Sequence, residues 1–198
     1  VYSGLPLDVS PAGLSHHHCY PGGYIEHVVS TTNLALALCN SVEKVYHGKV
    51  NRDIVVAGIL LHDIFKPVTY TVNENGSYGS TGLADYMDHL SIVIAELVRR
   101  GFPLNLVHVV SAHHGDYGPI RPHTIEALIC HLADLMDSRL NGEVLNAAYL
   151  TRKAVGEELK GLTSKEAFEI IYSKAVEGWN GVAKTIEKIK RRRATHKT

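Results

Sequence analysis

Apolar residues recur at helical spacing along most of the chain. Segments with this pattern cover residues 24–46, 53–65, 83–100, 104–113 and 124–140, and Lys66-Pro67 is expected to end the second of them. Thr163 and Glu166 have the spacing of a capping box, which predicts a final helix from this point, kinked at Gly178 and Gly181. In each segment the apolar positions are three or four residues apart, which is typical of a helix with one buried face. Gly48, Gly101 and Pro103 separate the segments, so the connections between helices are expected to be short.

Two segments depart from this pattern. Residues 68–81 alternate apolar and polar positions around a turn at 73–76, which predicts a small β-hairpin. Residues 141–162 contain Gly142, Gly156 and Gly161, which predict a mixed segment or flap instead of a long helix. The fold class that follows is all-α: a compact helical bundle with one small β-hairpin.

Length and composition narrow the choice of partners. The 198 residues fit one domain, with a core at about 15–140 and a C-terminal helical extension at 141–198. The 20 basic and 20 acidic residues cancel, so overall charge does not indicate nucleic acid or an acidic partner. A basic tail at 188–197 fits a solvated helix end, with contact to nucleic acid as the alternative.

The cellular compartment is predicted from the cysteines, and the lack of a membrane partner from the length of the apolar runs. The three cysteines are distant from one another in sequence, which indicates buried thiols in a reducing, cytoplasmic compartment. No apolar run approaches the ~20 residues that span a bilayer, so no membrane partner is expected.

Histidine supplies the candidate chemistry, with 13 residues in the chain. An apolar run ends at the adjacent pair His62-Asp63, which by itself also fits an ordinary helix end with a buried histidine. Further candidates lie in or beside other predicted helices. The candidate ligands are His27, His62, Asp63, His89, His113, His114 and Asp134. Imidazole and carboxylate without a thiolate cluster favour a catalytic site for iron, manganese, nickel or zinc.

Five short motifs in this order resemble those of the HD-domain metal-dependent phosphohydrolases, over about residues 15–140. They are Tyr20-Pro21-Gly22-Gly23-Tyr24-Ile25-Glu26-His27, Leu61-His62-Asp63-Ile64-Phe65-Lys66, Asp88-His89, Ser111-Ala112-His113-His114-Gly115 and His131-Leu132-Ala133-Asp134. The first and fourth motifs are most similar to the HD domain of bacterial 3′ to 5′ exoribonucleases.

The resemblance implies a set of metal ligands. His27, His62, Asp63 and Asp134 would hold a first divalent cation, and Asp63 would bridge to a second one. The ligands that complete this second site would be His89, His113 and His114; with a single cation they would contact substrate instead. One or two transition metals are expected, with magnesium as a further alternative. A shared water would then be activated to hydroxide for attack on phosphorus.

Several charged or titratable residues are candidates for contact with substrate. Lys66 follows the His-Asp pair and is expected to bind a phosphate oxygen, giving it and Asp63 catalytic roles. Arg121, His17 and His18 are expected to complete an anion pocket or to face the leaving group. Each of these residues also fits an ordinary helix end or loop. Residues expected to orient the ligands or to lie on helix surfaces are His131, Asp88 and Asp137.

The predicted function is a phosphomonoesterase or phosphodiesterase acting on a nucleotide, cyclic nucleotide or short oligonucleotide. Phe65 replaces the glycine usual in the family, and no partner nucleic-acid-binding domain accompanies the motifs, so long RNA is a less favoured substrate. Two alternatives stay open: a di-iron oxygenase on the same scaffold and a metal-binding sensor without turnover. The pattern does not predict the oligomeric state.

Overall fold

A computed structural model describes residues 4–195 of the chain. The fold is helical with a single small β-hairpin among these residues, so the predicted class is confirmed. The elements are α1 (Gly23–Lys44), α2 (Arg52–Leu61), α3 (Lys66–Thr69), β1 (Tyr70–Val72), β2 (Tyr78–Ser80), α4 (His89–Arg99), α5 (Leu104–Ser111), a 3₁₀ turn (Gly115–Tyr117), α6 (Ile125–Ala154) and α7 (Ser164–Thr195).

Side-chain caps fix where the longer helices begin. The side chains of Asn51, Asp88 and Thr124 accept hydrogen bonds from backbone N–H groups in the first turns of α2, α4 and α6. At α7, Thr163 and Glu166 form the predicted capping box, because each side chain accepts the other residue's backbone N–H.

Helices α1, α2, α5 and α6 enclose the main core. Gly58 lets α2 approach α5 closely, since a Cβ at this position would lie 2.3 Å from Val109 Cγ1. This close contact fixes the end of α2, where the His-Asp pair lies. The buried members of this core are Ala35, Cys39, Val55, Ile59, Val109, Ala112, Ala127, Ile129, Cys130 and Ala133.

Three helix boundaries near the predicted site differ from the expectation. His62 caps the end of α2 and Asp63 follows it, so neither residue lies inside the helix. Lys66-Pro67 was expected to end a helix, but it opens the one-turn helix α3, since proline is tolerated in a first turn. Helix α4 begins at His89 instead of near residue 83, because the Asp88 side chain caps it there.

The prediction of a mixed segment over 141–162 was wrong for its first part, because α6 continues to Ala154. A glycine inside a helix costs only about 1 kcal/mol, and packing against α7 compensates for it. The core between α6 and α7 contains Ala148, Leu159, Leu162, Ala167, Ile170, Val182, Ile186 and Ile189. The predicted kink in the last helix is present at Gly178, whose φ is 67°.

Ion pairs hold the basic C-terminal segment against the fold. Lys190 Nζ lies 2.5 Å from Glu157, and Arg192 Nη1 lies 3.0 Å from Glu169. Arg193 pairs with Glu166 at 2.5 Å. Residues 196 and 197 of the predicted tail lie outside the described part of the chain. Among residues 4–195, no helix combines the length and apolar character needed to cross a bilayer.

The segment that precedes α1 is attached to α6 through one buried amide. Asn141 Oδ1 accepts a hydrogen bond from the His18 backbone N–H at 2.7 Å. Its Nδ2 donates to Ser164 Oγ at 2.6 Å and to the Tyr20 hydroxyl at 3.4 Å. The segment carrying His17 and His18 is therefore held in place by α6 and the start of α7.

We expect Asn141→Ala to lower the free energy of unfolding by about 2–3 kcal/mol, because it leaves buried donors and acceptors without partners. Urea denaturation measures this change. The neighbouring variant Leu140→Ala removes an exposed side chain and should change stability by no more than about 0.5 kcal/mol. Equal denaturation midpoints for the two variants would contradict the role given to Asn141.

Candidate metal centre

Four predicted ligands from α1, the end of α2 and α6 face one common space. The Nε2 atoms of His27 and His62 lie 3.3 Å apart. Asp134 Oδ1 lies 3.3 Å from His27 Nε2 and 3.8 Å from His62 Nε2. Asp63 Oδ2 lies 3.5 Å and 3.3 Å from the same two nitrogens. These four atoms form the first donor group.

The second donor group lies on the other side of Asp63. His89 Nε2 is 3.2 Å and His113 Nε2 is 3.8 Å from Asp63 Oδ1. His89, His113 and His114 each offer a ring nitrogen within 4.8 Å of the others. Asp63 therefore directs one carboxylate oxygen toward each donor group. We call the seven residues of both groups the histidine–aspartate cluster.

The second ring nitrogen of three cluster histidines is fixed by a hydrogen bond. His62 Nδ1 donates to the Ile59 carbonyl at 2.6 Å, and His113 Nδ1 donates to the Val110 carbonyl at 2.7 Å. His27 Nδ1 donates to Asp137 Oδ2 at 2.7 Å. These bonds place a proton on Nδ1 of each ring, so Nε2 is the nitrogen that each ring could offer to a metal ion.

The cluster is buried and several of its polar atoms lack partners. His27, His62, Asp63 and His113 are at most 1% exposed. Among residues 4–195, Asp63 Oδ1 and the Nε2 atoms of His89 and His113 have no hydrogen-bond partner, whereas Asp63 Oδ2 is paired with the Lys66 ammonium group. Lone pairs and carboxylate charge this close together repel one another and are costly to bury. Divalent cations would satisfy them, so the donor set fits the predicted metals.

The charge states match those of metal ligands. Burial opposes ionisation of Asp63, but the positive charge of Lys66 holds its pKa well below the ordinary value. Burial likewise opposes ionisation of Asp134, and its hydrogen bond with His27 keeps its pKa low. Burial lowers the pKa of His113 to about 3. At neutral pH the carboxylates are ionised and His113 is neutral, as metal binding requires.

Nearby carboxylates favour a positive charge on the His27 imidazole. Burial works to lower its pKa, yet hydrogen bonds with Asp134, Asp137 and Asp63 raise that pKa well above the ordinary value. Three carboxylates thus draw a proton to this imidazole. A metal cation in the first donor group would supply the positive charge that the proton otherwise provides.

Three of the four predicted substrate contacts lie beside the cluster. Lys66 Nζ lies 2.6 Å from Asp63 Oδ2, and its side chain is only 10% exposed. The His17 ring centroid is 5.1 Å and the His18 ring centroid is 5.4 Å from that of His27. His17, His18 and His27 also form a third group of nitrogen donors, which shares His27 with the first donor group.

Arg121 is placed differently from the other candidates. Its guanidinium Nε lies 3.0 Å from Asp116 Oδ1, and both side chains are about three-quarters exposed. The structure does not bring this pair into the cluster, so contact between Arg121 and substrate stays a prediction. Asp88 caps α4 next to His89, and His131 Nδ1 donates to the His113 carbonyl at 2.7 Å.

Two contacts made by residues of α6 were not predicted from the sequence. Asp137 was predicted to orient a ligand, but its pairing with His27 was not predicted. The contacts of Ser138 were not predicted either: its hydroxyl lies 3.3 Å from Asp134 Oδ1 and 3.3 Å from His17 Nε2. The available signal was spacing, because Asp134, Asp137 and Ser138 are three and four residues apart and share one face of a helix.

Comparison with known proteins identifies the fold family. The sequence model of the HD-domain family matches residues 24–139, which is more than half of the chain and includes every member of the cluster. The chain belongs to the HD-domain family. The resemblance predicted from the five motifs is therefore confirmed. No solved structure gave a significant match.

Two kinds of relative match this HD domain. Dihydroneopterin 2′,3′-cyclic phosphate phosphodiesterase from Methanocaldococcus jannaschii is 38% identical over 194 residues, which is 96% of this chain and 75% of that protein. The 3′-5′ exoribonuclease YhaM from Listeria monocytogenes is 36% identical and that from Bacillus subtilis 31%, each over 142 residues. These alignments cover 66% of this chain and 43% of each exoribonuclease.

The comparisons confirm the predicted enzyme class, a hydrolase of phosphoester bonds, and the predicted similarity to exoribonucleases. The HD domain also contains groups of histidine and aspartate that could hold metal ions. The two alternative functions, oxygenase and metal sensor, gain no support from these relatives.

We expect Gly115→Ala to destabilise the HD domain by about 1–3 kcal/mol, from a left-handed backbone and an overpacked contact. Gly115 has φ +58°, and a Cβ there would lie 2.3–2.7 Å from ring atoms of His131. Thermal or urea denaturation measures the loss. Gly82→Ala is the matched control, because its Cβ would meet nothing within 4 Å. A loss no larger than that of the control would show that the Gly115 contact is not strained.

Proposed function

We propose that this HD domain hydrolyses a cyclic phosphodiester of a nucleotide-like compound with two divalent cations bound in the histidine–aspartate cluster. The observation that carries the proposal is the position of Asp63. Its two oxygens lie 3.3 Å from His62 Nε2 and 3.2 Å from His89 Nε2, on opposite sides of one carboxylate. A carboxylate placed in this way suits a bridging ligand.

In this proposal, the first cation is held by His27, His62, Asp63 and Asp134. The second is held by Asp63, His89, His113 and His114. Bound divalent cations supply positive charge that stabilises phosphoryl oxygens and makes water more acidic. Iron, manganese, nickel and zinc all suit these donors.

Lys66 is proposed to contact a phosphate oxygen. Burial works to lower its pKa, but the Asp63 carboxylate raises that pKa above the ordinary value, so the side chain carries a positive charge. It is nearly buried and lies next to the carboxylate that faces both donor groups. A phosphate bound at the cluster would therefore lie close to a positively charged group.

His17 and His18 are proposed to contact substrate on the side of His27. Burial lowers the pKa of His17 to about 3 and that of His18 to about 4. Both rings are therefore neutral and can donate or accept a hydrogen bond. The His17 ring nitrogen Nε2 also lies 3.3 Å from the hydroxyl of Ser138 on α6.

A cyclic diester is proposed as the substrate because of the Methanocaldococcus jannaschii phosphodiesterase, whose alignment covers nearly all of this chain and three-quarters of that protein. Water would attack phosphorus and break one of the two ester bonds that close the ring, leaving a phosphomonoester. The exoribonucleases share a shorter region with this chain, so short RNA serves as the comparison substrate.

We expect Asp63→Asn to lower metal affinity by more than about 100-fold, because even residues that only support ligands cost 10–100-fold when replaced. Elemental analysis and calorimetric titration of manganese into metal-free protein measure the effect. The control is Asp116→Asn, which removes an exposed carboxylate. Wild-type metal content in Asp63→Asn would exclude its bridging role, provided that circular dichroism shows a retained helical fold.

We expect the wild-type protein to have its highest kcat/KM on 2′,3′-cyclic phosphodiesters. The panel comprises dihydroneopterin 2′,3′-cyclic phosphate, 2′,3′-cyclic GMP, 3′,5′-cyclic GMP, p-nitrophenyl phosphate and a short RNA, each with added manganese or iron. Chromatography identifies the products, which should be monoesters of the same compounds. A higher kcat/KM on the aryl monoester or on RNA would contradict the proposed substrate class.

A further inference from the structure

An open groove begins beside the histidine–aspartate cluster and runs along α6. Its volume is about 500 Å³, and His17 and Ser138 are among the residues that line it. Ser138 Oγ also lies 3.3 Å from Asp134 Oδ1, a member of the first donor group. The near end of the groove is therefore a single side chain away from the cluster. We call this space the α6 groove.

One face of α6 forms the floor of the α6 groove. Ser138, Gly142 and Asn146 are spaced four residues apart, so they lie in a row along the helix. At 1.5 Å per residue this row extends about 12 Å away from the cluster. Gly142 allows the opposite wall to come close, because a Cβ there would lie 3.1 Å from the His16 carbonyl oxygen.

The polar groups in the α6 groove are available to a ligand. Arg139, Glu143 and Asn146 line it, and their side chains form no hydrogen bond or ion pair with another residue in the range 4–195. Arg139 and Glu143 are four residues apart, at a spacing where opposite charges on a helix commonly pair. The groove thus presents a carboxylate, a guanidinium and an amide, none of them engaged with another side chain.

The size and polarity of the α6 groove fit the ring system of a nucleotide-like substrate. A flat heterocycle has hydrogen-bond donors and acceptors along one edge, and ligand sites of 300–1,000 Å³ commonly combine a few such polar groups with a concave shape. A carboxylate accepts two parallel N–H groups at once. That arrangement matches the ring N–H and amino group of a 2-amino-4-oxopyrimidine edge, which guanine and pterin share.

We infer that the α6 groove binds the heterocycle of the substrate and that Glu143 recognises a 2-amino-4-oxopyrimidine edge. This inference rests on the proposed function, since it places the phosphodiester of the same molecule at the histidine–aspartate cluster. Arg139 and Asn146 supply donors for the ring carbonyl. Guanine and pterin compounds are then preferred over adenine compounds, whose corresponding edge lacks this pair of donors.

The test compares wild type with Glu143→Gln on 2′,3′-cyclic GMP, 2′,3′-cyclic AMP and bis(p-nitrophenyl) phosphate, which has no heterocycle. A hydrogen bond to a charged group is worth roughly a 10- to 100-fold change in an equilibrium constant. The ratio of kcat/KM for cyclic GMP to that for the aryl diester should fall by about this factor. Glu158→Gln, an exposed carboxylate outside the groove, should keep the wild-type ratio.

A second pair of variants tests whether substrate occupies the α6 groove. Asn146→Trp fills the α6 groove and should raise the KM for cyclic GMP by about tenfold or more, relative to the KM for the aryl diester. The matched control Ala147→Trp adds the same side chain at the next, exposed position outside the groove. Equal effects of the two tryptophans, or an unaltered substrate ratio in Glu143→Gln, would overturn the inference.

Failure of the proposed function gives a different result. If the wild-type protein cleaves none of the diesters, the proposed function fails. Calorimetric titration with GMP still tests the α6 groove in that case. Affinity should fall at least tenfold in Glu143→Gln and Asn146→Trp and should be retained in both controls. Undiminished GMP binding in these two variants would overturn the inference independently of turnover.

Discussion

The ionised carboxylate of Asp63 is buried among imidazole rings, and the arrangement of the molecule around it follows from that constraint. Removing a charge from water costs several kcal/mol even after the protein relaxes. Lys66 offsets part of this cost from one side. Asp63 Oδ1 faces the Nε2 atoms of His89 and His113, and none of these three atoms has a hydrogen-bond partner among residues 4–195. Added positive charge would stabilise this group of atoms, and this is the physical basis for proposing a metal centre.

The fold supports this arrangement by fixing side chains from separate helices. Close contact between α2 and α5 at Gly58 places the end of α2, and backbone carbonyls orient the rings of His62 and His113. Helix α6 contributes twice, through Asp134 in the first donor group and through Asp137, which orients His27. Its continuation beyond the cluster also forms the floor of the α6 groove, so one helix connects the histidine–aspartate cluster to the proposed specificity site.

The sequence was informative where chemistry or strong periodicity marks a position. His62-Asp63 follows a buried apolar run, and the capping box at Thr163 opens α7 as predicted. The extension of α6 through Gly142 was not predictable from local preference, because its stability comes from tertiary packing against α7. Likewise, the position of Arg121 in the sequence does not reveal that its side chain pairs with Asp116 at the surface instead of entering the cluster. The contacts of Ser138 with His17 and of Asn141 with His18 join residues more than a hundred positions apart in the chain, beyond the range of any local pattern.

The most direct test of this account is anomalous X-ray diffraction from crystals of the manganese- or iron-loaded protein, collected at the absorption edge of the metal. The account predicts two anomalous peaks, one on each side of the Asp63 carboxylate, with His27, His62 and Asp134 around the first and His89, His113 and His114 around the second. A loaded protein with no peak at this cluster, or with metal bound elsewhere and Asp63 in contact with none, would contradict it.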